Sequence, residues 1–250
     1  MHTHIGKAIR MSDILSENSL VFDSTIASSI GAPEGMEDLS STLQQLTPVF
    51  DGIILNPGQI EHLAHASGGK NRAAPLVRID WTNAYRGEDF CLPVSHVKRI
   101  PMSNAQDVTD LGGSAAVATL FMGYGDMFEA ENIRSISHLI RESYSLSLPV
   151  FVDIRPIGDH VSESNYEDTI QLGVSFMMEA GADGLIIPLC NPETLELIGN
   201  WSTIPVLAYS EKLITKSELQ SLTGHKIQGI VFGEAILNEV DYENKIQYLK

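Results

Sequence analysis

The sequence contains few cysteines, no long apolar run and half as many basic residues as acidic ones. Cys91 and Cys190, the only cysteines, are far apart and match no metal-ligand spacing, which favours two reduced thiols in a cytoplasmic protein. No apolar segment approaches the roughly 20 residues of a membrane span, and the amino terminus lacks the apolar core of a signal peptide. We therefore expect a soluble cytoplasmic protein without disulfides or membrane helices.

The shortage of basic residues excludes a second group of partners. Lys and Arg number 16 against 32 Asp and Glu, so the formal net charge is −16. Such a surface repels phosphate backbones and anionic lipids unless a local basic patch overcomes the repulsion. The basic residues are scattered, and Lys98 and Arg99 form the only adjacent pair. The composition therefore predicts that neither nucleic acid nor a membrane is a partner.

The 250 residues do contain short β-rich apolar runs that alternate with longer segments of helical periodicity. Eight runs are predicted as strands: Ser19–Asp23, Gly52–Leu55, Leu76–Asp80, Ala115–Met122, Val150–Asp153, Gly184–Pro188, Val206–Tyr209 and Gln228–Phe232. Segments Glu129–Ser143 and Tyr166–Ala180 place apolar residues three and four apart, as helices with one buried face do. This pattern and length are typical of an α/β fold, the (β/α)8 or TIM barrel, so we predict one such domain over residues 1–250.

An open, doubly wound sheet is the alternative architecture for the same alternation. Its nucleotide-binding members carry a GxGxxG loop after the first strand. Here the first strand leads into Asp23-Ser24-Thr25, so no dinucleotide fingerprint supports the open sheet.

Polar residues that follow the predicted strands are the candidates for chemistry, because the active site of a barrel forms at the carboxyl ends of its strands. The catalytic candidates are Asp23, Asp80, Asp153, Arg155 and Lys212. The substrate-binding candidates are Arg78, Trp81, Asn83, Glu211 and Glu234. Clustered carboxylates and guanidinium groups shift one another's pKa values and can supply a general base.

Three of these residues also have structural interpretations. Asp23 precedes Ser and Thr and could cap a helix or turn instead of acting on a substrate. Arg78 and Asp80 share one face of the predicted third strand, so they could form an ion pair that only fixes packing.

The strand segments also suggest kinship. In order, LVFDSTI, DGIILNPGQ, PLVRIDWT, GGSAAVATLFMGYGDMFEAENI, LPVFVDIRP, EAGADGLIIP and GIVFGEAI resemble the class I aldolases of the archaeal-type fructose-bisphosphate and deoxyribose-phosphate aldolase superfamily. The resemblance covers nearly the whole chain. It implies a (β/α)8 barrel in a homo-oligomer, a Schiff-base lysine ending the sixth strand, and an aspartate ending the first, which matches Asp23. It also implies a phosphate site in loops after the seventh and eighth strands.

The sequence departs from this family at the positions that perform its chemistry. The sixth strand, Gly184–Pro188, has no lysine, and Pro188 stands in the nucleophile's place. Pro has no amine to form a Schiff base. The phosphate loops read Tyr-Ser-Glu-Lys at 209–212 and Gly-Glu at 233–234, and their carboxylates oppose an anion.

The leading hypothesis is therefore an aldolase-like lyase, or related enolate chemistry, on a small unphosphorylated carbonyl or hydroxy compound. Asp23, Asp80 or Asp153 would transfer the proton, and Arg155, with Arg78, would hold a carboxylate or stabilise an enolate. Lys212 suits an electrostatic role, because Glu211 beside it favours its protonated form.

A variant of this hypothesis uses Mg²⁺ or Mn²⁺ on the carboxylates in place of the imine as electron sink; otherwise no cofactor is expected. His62 and His65 have a spacing that can hold a metal, but no third ligand is evident and a solvated helix face fits them better. The alternative function is a non-catalytic barrel that binds a ligand or assembles with other subunits. Barrel architecture shared with unrelated chemistry is a third reading, since fold does not fix function.

Overall fold

A computed structural model describes residues 5–62, 72–92 and 94–249. The strands are β1 (Ser19–Asp23), β2 (Gly52–Leu55), β3 (Ala74–Arg78), β4 (Asp80–Thr82), β5 (Arg99–Pro101), β6 (Ala115–Met122), β7 (Val150–Pro156), β8 (Gly184–Pro188), β9 (Val206–Ser210) and β10 (Gly229–Phe232). The α-helices are α1 (Ile5–Ile14), α2 (Ala27–Ile30), α3 (Leu39–Leu46), α4 (Ala105–Asp110), α5 (Asp126–Ser145), α6 (Tyr166–Ala180), α7 (Pro192–Trp201), α8 (Lys216–Gly224) and α9 (Tyr242–Leu249). Short 3-10 helices cover Pro57–Gln59 and Glu234–Asn238.

Eight parallel strands close into a barrel in the order β1, β10, β9, β8, β7, β6, β3, β2. This confirms the predicted (β/α)8 barrel, and the predicted bounds of β1, β2, β6 and β8 match the observed ones. The predicted helix over residues 166–180 is α6. Gly181 caps its carboxyl end in the left-handed conformation, with φ 90°. No helix in the described part of the chain is both long and apolar enough to span a membrane.

The predicted third strand was wrong at its carboxyl end. The barrel strand β3 stops at Arg78, and Asp80 instead begins β4, which pairs antiparallel with β5 in a two-stranded ribbon outside the barrel. Because β3 and β4 are both apolar and rich in β-forming residues, their composition predicts one continuous strand. The chain leaves the barrel here because β4 takes its hydrogen bonds from β5 rather than from a barrel neighbour.

The inside of the barrel is an apolar layer to which each of the eight strands contributes. Its central residues are Val21, Ile54, Leu76, Val117, Phe151, Ile186, Leu207 and Val231, all at most 1% exposed. Helix α1 closes the amino end of the barrel by packing Ile14 against this layer. Because strand side chains alternate, the intervening residues face the surrounding helices and form the larger outer core.

Candidate active site

A polar layer follows the apolar one at the carboxyl end of the barrel, since residues two apart on a strand share a face. The residues two positions beyond the apolar layer are Asp23, Asn56, Arg78, Thr119, Asp153, Pro188, Tyr209 and Gly233. Asp23, Arg78 and Asp153 thus lie together at the carboxyl ends of their strands, which is where polar residues at strand ends were expected to meet.

Arg78 is the centre of this layer, and all three of its nitrogens are used. Nη2 contacts Oδ2 of Asp23 at 2.7 Å and Oδ2 of Asp153 at 3.0 Å. Nε donates to Oγ1 of Thr25 at 2.7 Å, and Nη1 donates to Oγ1 of Thr119 at 2.6 Å. A buried guanidinium with these bonds is a structural hub that ties β1, β3, β6 and β7 together.

Asp23 is held in its ionised form by this hub. Burial opposes ionisation, but the Arg78 guanidinium and the hydrogen bonds from Thr25 outweigh it and lower the pKa of the carboxyl below its ordinary value. Thr25 donates through its backbone amide at 2.9 Å and through its hydroxyl. Asp23 therefore both caps the turn after β1 and lines the site, and its depressed pKa makes it a weak proton acceptor.

The ion pair expected between Arg78 and Asp80 does not form. Oδ2 of Asp80 accepts instead from Nε of Arg99, on β5, at 2.6 Å, and from the backbone amide of Thr119 at 2.6 Å. The prediction failed because Asp80 is not on β3, so the two residues do not share a strand. Asp80 fastens the β4–β5 ribbon to β6.

Arg155 has a different environment from Arg78. Its Nη2 donates to Oδ2 of Asp153 at 3.1 Å, its Nε lies 2.8 Å from Oδ1 of Asp153, and its guanidinium stacks 3.7 Å above the ring of Tyr209. Within the described residues Nε forms no aligned hydrogen bond and Nη1 has no hydrogen-bond partner. A Cβ on Gly233 would lie 2.3 Å from the Tyr209 hydroxyl, so only glycine there allows this ring position.

These groups surround a cavity of about 80 Å³ at the carboxyl end of the barrel. We call it the inner cavity; its charged and phenolic lining consists of Asp23, Arg78, Asp80, Tyr85, Arg155, Tyr209, Glu211 and Glu234. Ordinary pockets for drug-sized ligands have volumes of about 300 Å³ or more. The inner cavity fits only a few non-hydrogen atoms, so it favours a small ligand or the head group of a larger one.

Glu234 differs from the aspartates because no cation is paired with it in the described part of the chain. Burial raises the pKa of its carboxyl above the ordinary value, and the nearby carboxylates of Asp23 and Glu211 add to the rise, in spite of the opposing effects of a hydrogen bond from its own backbone amide and of Arg155. A raised pKa makes this carboxylate a stronger proton acceptor than an ordinary one.

Tyr85 supplies a hydroxyl to the same cavity. Burial and the nearby Asp153 carboxylate raise its pKa to about 12, in spite of the opposing effect of Arg155. The phenol therefore stays protonated at neutral pH and can donate a hydrogen bond to an oxygen of a ligand.

Four predicted site residues do not line the inner cavity. Asp153 is 1% exposed and lies behind Arg78 and Arg155, which it contacts. Lys212 is exposed and lines a second space of about 340 Å³, the outer groove, whose lining also includes Ile157, Tyr166, Pro188 and Leu189. Trp81 donates its indole N–H to the backbone of Ser28 at 2.8 Å. Asn83 bonds the backbones of His96 and Lys98 and so shapes the loop between β4 and β5.

The arrangement does not resemble a metal site. Among residues 5–62, 72–92 and 94–249, no group of three or more His, Cys, Asp or Glu is placed to hold an ion. Asp23, Asp80 and Asp153 each contact a guanidinium group, which occupies the oxygens a cation would need. His62 is exposed and contacts the Ser40 hydroxyl at 3.2 Å, while His65 lies outside the described residues.

Sequence reasoning missed four polar residues that complete the site: Thr25, Tyr85, Arg99 and Thr119. Thr119 shares the inward face of Val117, so the two-residue alternation along β6 was a usable signal. Arg99 is distant in the chain from Asp80 and meets it only through the ribbon.

No protein-family model and no curated protein sequence matches this chain. Solved structures do match. An archaeal fructose 1,6-bisphosphate aldolase has 19% identity and a TM-score of 0.78, with 97% of each chain covered. A Schiff base-forming fructose-1,6-bisphosphate aldolase has 19% identity and a TM-score of 0.79, covering 97% of this chain and 98% of the other.

A third match is the fructose-bisphosphate aldolase from Slackia heliotrinireducens, with 15% identity, a TM-score of 0.74 and coverage of 99% of this chain and 83% of the other. The predicted resemblance is thereby confirmed at the level of the fold. The structural likeness to these aldolases extends over 97–99% of this chain.

Proposed function

We propose that this protein catalyses enolate chemistry, such as aldol cleavage or condensation, on a small unphosphorylated 2-oxo or hydroxy acid without a Schiff base. The observation that carries this proposal is the pairing, in one small cavity, of a guanidinium that has a free N–H with an unpaired carboxyl of raised pKa. These are Arg155 and Glu234.

The proton would move between substrate and Glu234. In aldol cleavage, the Glu234 carboxylate takes the hydroxyl proton, the O–H electron pair forms the new carbonyl, and the electrons of the breaking C–C bond pass into the enolate. Nη1 of Arg155 and the Tyr85 hydroxyl can donate to the enolate oxygen, which lowers the barrier as charge develops. Protonation of the enolate carbon by Glu234 then restores the carboxylate and releases the second carbonyl product.

The aspartates of the polar layer suit this proton transfer less well than Glu234 does. Asp23 and Asp153 neutralise Arg78, and Asp80 neutralises Arg99. In these ion pairs the carboxylates hold the arginine side chains in position.

A Schiff base is disfavoured by the lining of the site. Pro188 ends β8, and no lysine lines the inner cavity in the described part of the chain. A phosphate group is less favourable than a carboxylate because Glu211 and Glu234 follow β9 and β10, and their repulsion grows with the charge of the ligand, which is about −2 for a phosphate and about −1 for a carboxylate.

Deuterium exchange tests this proposal at its first chemical step. Pyruvate, 2-oxobutanoate, 2-oxopentanoate and 2-oxohexanoate are each incubated with the protein in D₂O, and loss of the C3 proton signal is followed by NMR. We expect the protein to accelerate exchange of at least one acid, and we expect Glu234→Gln to reduce the rate at least 100-fold, the lower end of general-base contributions.

Glu17→Gln, an exposed carboxyl away from the cavity, is the matched control and should exchange at the wild-type rate. Exchange that survives Glu234→Gln would refute the assignment of the base. Borohydride should leave no adduct, and a lysine adduct found by mass spectrometry would overturn the imine-free mechanism.

A ligand-binding or assembly subunit is the second candidate function. It is favoured by the absence of a lysine at the end of β8 and by the complete pairing of the three aspartates. An acid that raises the melting temperature while its C3 protons never exchange would support this role over catalysis.

A further inference from the structure

The outer groove adjoins the inner cavity through a shared wall. Arg155, Tyr209 and Glu211 line both spaces. Because Arg155 stacks on Tyr209, its guanidinium lies at the junction, with Asp153 holding one edge. A ligand group bound to Arg155 therefore lies beside a second, larger space.

The outer groove has a mixed lining. Its apolar part consists of Pro156, Ile157, Tyr166, Pro188 and Leu189, of which Leu189 is 42% exposed, and its polar part consists of Arg155, Tyr209, Ser210, Glu211 and Lys212. The volume of the outer groove is about 340 Å³, against about 80 Å³ for the inner cavity. Water against the apolar part is displaced favourably by an apolar group.

The charged residues at the groove do not offer a second anion site. Glu211 is on the shared wall and repels an anionic tail, while Lys212 is exposed to solvent. The free N–H of Arg155 is used by the head group of the ligand in the proposed function. Pro188 ends β8, the sixth barrel strand along the chain. It contributes an apolar surface to the outer groove and does not line the inner cavity.

We propose that the outer groove is a specificity subsite for an apolar substituent of the substrate, whose carboxylate-bearing head group binds in the inner cavity. This rests on the proposed function and narrows its substrate class to 2-oxo or hydroxy acids with an aliphatic or aromatic chain. Arg155 fixes the head at the junction, and the chain extends along Pro188 and Leu189.

A homologous series of ligands tests the subsite by equilibrium binding. Calorimetry gives the dissociation constants of pyruvate, 2-oxobutanoate, 2-oxopentanoate and 2-oxohexanoate. The constants should fall about 2- to 4-fold for each added methylene, the upper figure being that of a fully buried one. In Leu189→Asn, a neutral change of similar size, this dependence on chain length should shrink at least by half.

Leu197→Asn is the matched control, since Leu197 is 48% exposed, lies on α7 and does not line the groove. It should keep the wild-type dependence on chain length. A dependence that is equally steep in Leu189→Asn would refute the subsite. Tighter binding of 2-oxobutanoate carrying a terminal phosphate than of 2-oxohexanoate would also refute it.

The outcomes separate the two proposals. If pyruvate binds in a manner that needs Arg155 but longer chains gain nothing, the subsite is wrong and the proposed function stands. If none of the four acids binds, both proposals fail.

Discussion

Arg78 and Arg155 share the carboxylate of Asp153 but have opposite roles in the structure. Arg78 uses all three nitrogens on protein groups and is 7% exposed. Arg155 donates one hydrogen bond to Asp153 from Nη2, places its Nε 2.8 Å from the same carboxylate without an aligned hydrogen bond, and stacks on Tyr209; in the described residues its Nη1 has no partner. An arginine is thus a structural hub where all of its nitrogens are bound to protein groups, as in Arg78, and a candidate ligand-binding group where an N–H has no partner, as in Arg155.

The carboxyl groups of the site also fall into two classes, those paired with a guanidinium and one that is not. Asp23, Asp80 and Asp153 are each bound by a guanidinium, while half-buried Glu234 forms no ion pair with any residue that the structure describes. The pKa of Asp23 is lowered and that of Glu234 is raised. Opposite shifts within one cavity separate groups that stay charged from a group that can exchange a proton.

Removing the two guanidinium groups in turn is the most severe test of this contrast. Arg78→Met leaves Asp23 and its neighbours in a buried site without their main cation, so we expect a loss of about 3–5 kcal/mol in the free energy of unfolding. Arg155→Met leaves Asp153 paired with Arg78 and should cost about 1–2 kcal/mol while abolishing binding of 2-oxo acids. Urea denaturation and calorimetry measure these effects, and equal stability losses would contradict the division of roles.

The pH dependence of Asp23 gives an intermediate effect. A carboxyl whose folded pKa is depressed contributes stability above its unfolded pKa and loses it as pH falls through the folded value. Asp23→Asn should therefore be less stable than the wild type by about 2 kcal/mol at pH 7, and the difference should shrink below about pH 4. Denaturation across this pH range measures it, and a difference independent of pH would show that Asp23 is not held ionised.

Glu234 should give the smallest effect and the opposite sign. Its folded pKa is raised, so the folded state binds the proton more tightly, and stability falls as pH rises from the unfolded towards the folded pKa. Glu234→Gln removes that penalty and should raise the melting temperature about 1–2 °C at pH 7, with no gain below about pH 4. Thermal melts measure this, and a lower melting temperature at pH 7 would show that the ionised carboxylate is stabilised.

The fold could be predicted because its signal is local and periodic. Each barrel strand is an apolar run of four to eight residues whose alternation places one face inside, and β1, β2, β6 and β8 were located to the residue. The β4–β5 ribbon could not be predicted, since β5 is only Arg99–Pro101 and its partner continues the apolar run of β3. Two adjoining strands without a turn signal look like one.

The sequence predicted several of the residues that lie near the mouth of the barrel, but it did not predict which contacts their side chains make. The strand-end rule selected Asp23, Arg78 and Asp153, which meet, but also Trp81 and Asn83, which serve the ribbon. Lys212 follows β9 closely, yet the chain turns it towards the outer groove and solvent. Proximity to a strand end places a residue near the mouth without fixing the direction of its side chain.

The sequence by itself determined the barrel, the polar layer above the apolar one and the absence of a lysine from the sixth barrel strand, because all three follow from residue type and a two-residue period. Only the tertiary structure decided which carboxylate is paired with which arginine. Ion pairs join residues from distant strands, and their partners depend on distances of a few ångströms that no local pattern encodes. The completed bonds of Arg78 and the spare N–H of Arg155 are therefore properties of the folded chain.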